Sequence, residues 1–102
     1  MSKHLDFIRS LPCLVCGDNT ATEAAHIRYA DSRAAKPITG LGTRSGDWMV
    51  PLCGSCHRSQ HKESERRWWR DRNINPVEVA AYLRLASGDH HAGCQIIAGA
   101  RQ

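Results

Sequence analysis

The chain has 102 residues and five cysteines in 11.4 kDa, room for one domain whose small core calls for a metal staple. Fourteen Lys and Arg against ten Asp and Glu give a formal charge of +4, a modest excess that suits polyanionic partners without demanding one. No apolar run reaches the ~18 residues of a membrane span, and Met-Ser-Lys-His-Leu-Asp at the start lacks a signal peptide's apolar core, so a cytoplasmic protein with no membrane partner is expected.

In chain order, Leu5, Ile8 and Leu11 fall at near-helical spacing with Phe7 beside them, and Pro12 stops the run, which predicts a short helix over 2–11. Cys13 to Cys16 is a turn, followed by Gly17-Asp18-Asn19, the residue types that supply positive φ. A strand is expected from Thr22 to Tyr29, with His26 at its middle, and a second from Asp47 to Leu52, where Pro51 suits an edge or final position. The two would pair as a hairpin. Between them lies a long basic loop with Arg33, Lys36 and Arg44 against Asp31 alone, a nucleic-acid contact or a plain flexible insertion. Residues 55–72 contain neither Gly nor Pro and predict one helix of about four turns, on which Arg58, Lys62, Arg66 and Arg70 recur every fourth residue as a basic stripe. Of the adjacent Trp68 and Trp69, one is expected in the core and the other as a lid. Asn75-Pro76 reads as cap and first turn of a helix to about Ser87, and 88–102 reads as a tail, its His90-His91 pair solvated and Cys94 a small apolar filler. These elements describe one α+β domain over 1–102, with its core at about 10–72 and a C-terminal helix at about 75–87.

The chemistry centres on Val50 to His61. Cys53-Gly-Ser-Cys56 repeats the spacing of Cys13-Leu-Val-Cys16, so four thiolates from two turns can close one tetrahedral structural Zn2+ site. In a reducing compartment such pairs mean metal more often than disulfide. His57 and His61, four apart on a helix, place two imidazoles on one face, where they can hold a second divalent ion. Isolated surface or hydrogen-bonded histidines are the plain alternative.

Cys-Gly-Ser-Cys-His-Arg-Ser-Gln-His, with Cys13-Leu-Val-Cys16 ahead of it and Ala-Ala-His26-Ile between, resembles an HNH endonuclease of the small phage and prophage branch, over about residues 10–65. The resemblance implies a ββα-metal, treble-clef-like core: a β-hairpin crossed by a central metal-bearing helix, with flanking N- and C-terminal helices and a zinc staple. It also implies His26 as general base and His57 and His61 as ligands of one catalytic divalent metal, Mg2+, Mn2+, Ni2+ or Zn2+. Two positions depart from the family pattern. Ala25 stands where many members carry a metal-binding Asp or His, and Trp48 stands at the middle Asn, with Asp47 next to it. Asp47 or water would complete the shell, His26 would itself be a ligand, or the nuclease has decayed to a binding module.

The leading expectation is therefore a metal-dependent DNA endonuclease, with phosphates held by Arg33, Lys36, Arg44, Arg58, Lys62, Arg66 and Arg70. Its alternative is a non-catalytic, zinc-finger-like nucleic-acid-binding protein. A third is a zinc-stapled protein-interaction module using Trp68, Trp69 and Tyr82.

Overall fold

The computed structural model describes residues 3–29 and 48–101. Arg33, Lys36, Arg44 and Asp47 lie outside the described residues, as does the long loop that carries the first three. The order of elements is α1 (Lys3–Arg9), β1 (Thr22–His26), β2 (Met49–Cys53), α2 (Gly54–His61), α3 (Glu65–Asp71), α4 (Pro76–Leu85) and α5 (His90–Ala100). This is a small α+β arrangement: one antiparallel hairpin surrounded by helices.

Helix α1 buries Phe7 and Ile8 and stops where the Ser10 hydroxyl turns back to donate to the Phe7 carbonyl at 2.6 Å. The Cys13–Gly17 turn closes through Gly17 N–H to the Cys13 carbonyl at 2.9 Å, and Gly17 sits at φ +80°, where a Cβ is disfavoured. Leu14 N–H then donates to the Pro51 carbonyl at 2.9 Å, which ties the first cysteine turn to β2. β1 and β2 pair with Thr22 opposite Cys53, Ala24 opposite Pro51 and His26 opposite Met49. All five β2 residues are buried, because α1, α2 and α4 pack around this strand. That burial explains its unbroken apolar character, where a strand with one wet face would alternate.

The single helix expected over 55–72 is two helices. α2 ends at His61 and α3 starts at Glu65 after Ser64. Helix propensity favours continuity, but Trp68 decides otherwise: its indole N–H donates to Ser59 Oγ at 3.0 Å, whereas nine residues of straight helix would separate the two by about 13.5 Å along the axis. Folding α3 back on α2 lets Trp68 bury completely (0% exposed), and Trp69 follows at 3%. Both tryptophans are thus core residues, in edge-to-face contact with centroids 4.8 Å apart. The lid expected of one of them is not formed. The Arg72 guanidinium lies 3.7 Å above the Trp68 ring and donates to the Trp68 carbonyl.

Asn75 caps α4 as its sequence suggests, accepting from Val77 and Glu78 N–H at 3.1 and 3.3 Å, with Pro76 in the first turn. The helix buries Val77, Val79, Ala80 and Leu83. Beyond it, the expected tail is instead α5, started by Gly88 at φ +91° and by the Asp89 carboxylate accepting from Ala92 N–H at 3.1 Å. Its anchor is close approach. A Cβ on Gly93 would stand 2.7 Å from Leu11 Cδ2 and 2.9 Å from Phe7 Cζ, so only glycine allows α5 to lie this near the α1 side chains, with Ile97 buried one turn later.

Two glycines in the same helix therefore respond oppositely to alanine. Gly99 has open space around it, so Gly99→Ala should gain up to about 1 kcal/mol from helix propensity. Gly93→Ala should lose about 1–3 kcal/mol, because overpacking against Leu11 and Phe7 outweighs the same gain. Urea unfolding of the two variants checks the sign of each.

Candidate metal centre and histidine cleft

The two cysteine turns converge. Cys13 and Cys16 come from the turn after α1, Cys53 ends β2 and Cys56 lies in the first turn of α2, and their four Sγ atoms all fall within 4.8 Å of one another. Cys16 Sγ and Cys53 Sγ, one from each turn, are 3.7 Å apart. A tetrahedron of thiolates at 2.3 Å from zinc has edges of about 3.8 Å, so the donor set and its spacing fit one Zn2+. Among the described residues, no other group of three or more His, Cys, Asp or Glu is close enough to hold an ion.

The thiols' own electrostatics favour a cation. Burial raises Cys13, yet the backbone amides of Cys16, Cys53 and Val15 together bring it down to about 7. Burial, then the neighbouring thiols, push Cys56 far up, the charge on Cys13 contributing. For Cys16 the Asp18 amide acts to lower the pKa, but partial burial and the contacts with Cys53 and Cys13 leave it raised. The Cys13 sulfur ionises readily, and Cys16 and Cys56 resist a second negative charge beside it. A dication among them removes that conflict. Cys53 also serves as the N-cap of α2, its sulfur accepting from Cys56 N–H at 3.5 Å.

Since Cys56 and His57 are adjacent, the cysteine turn also fixes the start of the histidine face. The His57 and His61 rings lie 4.8 Å apart, centroid to centroid, as their spacing on α2 requires. His57 Nδ1 is 2.8 Å from Glu23 Oε1 on β1, a partner that the sequence alone did not single out. His26 ends β1, close enough to His57 for the two charges to interact. Partial burial of its ring, then Arg28, then His57 hold its pKa below the ordinary histidine value. His57 thus has His61 beside it and His26 within electrostatic reach, and the three do not form a three-ligand group close enough to hold one ion. Beside His61, a surface cavity of about 390 Å³ is lined by Arg28, Tyr29, Gln60, His61, Glu63 and Glu65.

Neither a protein family, a curated protein nor a solved structure matches this chain.

The break at residues 62–64 also divides the basic stripe: Arg58 lies on α2 and Lys62 just beyond it, while Arg66 and Arg70 lie on α3, all four exposed. Arg66 stacks over the Tyr29 ring at 5.0 Å. Trp48 is buried, with the Arg84 guanidinium 4.8 Å above its ring. Cys94 is half-buried, its Sγ 3.4 Å from His90 Nε2, and the other nitrogen of that ring meets Ser10 Oγ at 3.1 Å. No described helix is long and apolar enough to cross a membrane.

One zinc per chain is expected by metal analysis, with all four thiols protected from alkylation in the native state. Each of Cys13→Ala, Cys16→Ala, Cys53→Ala and Cys56→Ala should lose the ion and the cooperative unfolding transition, because binding energy in so small a core is folding energy. Zinc that stays bound while all four native thiols alkylate freely would remove the assignment.

Proposed function

We propose that the chain is a zinc-stapled, zinc-finger-like nucleic-acid-binding module. The observation that carries this reading is the four-thiol cluster, a closed ligand set of the structural kind, which leaves no position open for a reacting group. The two helices that follow it support a phosphate-binding face: Arg58, Lys62, Arg66, Arg67 and Arg70 are exposed there, against Glu63, Glu65 and Asp71. The Arg66–Tyr29 stack at the edge of the cavity is a flat platform on which a base could lie. DNA is the expected partner, held through its phosphates without reading of sequence. Fluorescence anisotropy across a salt series tests this. Affinity should fall steeply with salt, and changing Lys62, Arg66 and Arg70 together to Ala should flatten the slope by roughly 0.9 for each duplex phosphate that is no longer neutralised. Unchanged affinity for both duplex and single strands would mean that these side chains are merely solvated.

A second reading, a metal-dependent DNA endonuclease of the HNH type, is favoured by one specific observation: the paired rings of His57 and His61, with His26 within electrostatic reach of His57. A divalent ion on the two imidazoles would neutralise a phosphoryl oxygen and the leaving 3′-oxygen. His26 is suited to take the proton of the attacking water, because its lowered pKa keeps the ring unprotonated at neutral pH. Asp47, the further ligand expected from the sequence, lies outside the described residues. In plasmid cleavage with Mg2+, Mn2+, Ni2+ or Zn2+, His26→Ala should lose roughly 10² to 10⁴ in rate while zinc content and DNA affinity persist. No cleavage by the unmodified protein with any of the four metals would leave the binding module alone.

A further inference from the structure

We infer that Glu23 is a positioning residue for His57, setting which ring nitrogen is left to bind and so making His57 and His61 competent to share a divalent cation. The inference rests on the second reading for the cation, and on geometry alone for the orientation. An ionised carboxylate only accepts, so across the 2.8 Å contact the proton must sit on His57 Nδ1. Nε2 is then the only His57 nitrogen with a lone pair to offer.

Free imidazole side chains favour the opposite tautomer, with the proton on Nε2. A carboxylate that overrides this preference does what the outer partner of a ligating histidine does in metal sites: it fixes the tautomer and the orientation of the ring. The carboxylate lies over the first residue of α2. Gly54 opens α2 beneath it, and a Cβ there would meet Glu23 Oε2 at 3.3 Å and Arg58 Nη1 at 3.0 Å, so the bare Cα leaves space that the acid and the guanidinium share. His61 completes the pair from the next turn, its ring 4.8 Å from that of His57. Glu23 stands behind the first ring, and water would fill the remaining positions on the ion. A plain ion pair latching β1 to α2 is the competing account, and it predicts nothing about tautomers or metals.

The experiment uses the zinc-loaded protein with 15N-labelled histidine. Long-range 1H–15N correlation should show His57 protonated on Nδ1. Glu23→Ala should return it to the Nε2–H form with zinc content and thermal midpoint unchanged, and Glu23→Gln, whose carbonyl still accepts, should keep much of the native tautomer. Ni2+ titration by calorimetry, with the His57→Ala/His61→Ala double variant as background, should show Glu23→Ala binding 10- to 100-fold more weakly than the unmodified protein, with Glu23→Gln in between. An unchanged tautomer and unchanged Ni2+ affinity in Glu23→Ala would overturn the inference and leave the histidine site standing. Ni2+ binding no stronger in the unmodified protein than in the double variant would remove the cation from this site, while a tautomer that still switches in Glu23→Ala would uphold the positioning role.

Discussion

Closure of the four sulfurs is the constraint on which the other contacts depend. Cys16 and Cys53 are far apart in sequence, and bringing their sulfurs to 3.7 Å fixes both the turn after α1 and the junction between β2 and α2. The Leu14–Pro51 hydrogen bond repeats this junction on the backbone. Without an ion, four thiols of which one ionises near neutrality form a poorly matched cluster. With one, the same sulfurs cap a helix, end a strand and close the long segment between them. In a chain whose core is this small, the stabilisation from such a site is comparable to the whole margin by which a domain is folded.

What the sequence made legible follows from how local the causes are. The doubled Cys-x-x-Cys, the Asn75-Pro76 helix start and the i, i+4 histidines depend on spacing within a turn or two, and each was readable. The break between α2 and α3 was not, because it is caused by an indole reaching Ser59 and by two tryptophans entering the core together. Residues 55–72 are good helix formers throughout, and tertiary burial overrode them. Helix α5 was hidden for the opposite reason. Gly93 and Gly99 weaken its local signal, while the property that matters at Gly93, a missing Cβ against Leu11 and Phe7, exists only once α1 is beside it. Asp89 after Gly88 was the available hint, a cap following a left-handed glycine.

The same non-local logic bears on the functional ideas that the sequence raises. A protein-interaction surface built on Trp68 and Trp69 has nothing to present, because both rings are buried, and only Tyr82 of that set is exposed, at 53%. Binding and cleaving nucleic acid remain alike in their demands on the scaffold: each needs the zinc turn, the exposed basic side chains and α2 held at a set angle to the hairpin. They part at the histidines. A module that only binds has no need to fix a tautomer, since an imidazole can donate to phosphate from whichever nitrogen carries the proton.

That difference gives weight to a contact which energetics alone would dismiss. Ion pairs and hydrogen bonds at half-exposed positions stabilise a fold by about 0–1 kcal/mol, and the Glu23 side chain is 54% exposed. Its value as a brace is therefore small, and α2 is already anchored by Cys53 and Cys56. On the nuclease reading, however, β1 lacks an acid at Ala25, which is buried in the core. Residues two apart on a strand share a face and stand about 6.6 Å apart, so Glu23 lies on the Ala25 side of β1, one step nearer the start of α2, as the register with Leu52 requires. The carboxylate missing at one position is thus present at the next along the same face, reaching the back of an imidazole instead of an ion. On that reading the acid acts on an ion only through His57, so its removal would change how firmly the cation is held and leave the seat of α2 as it is.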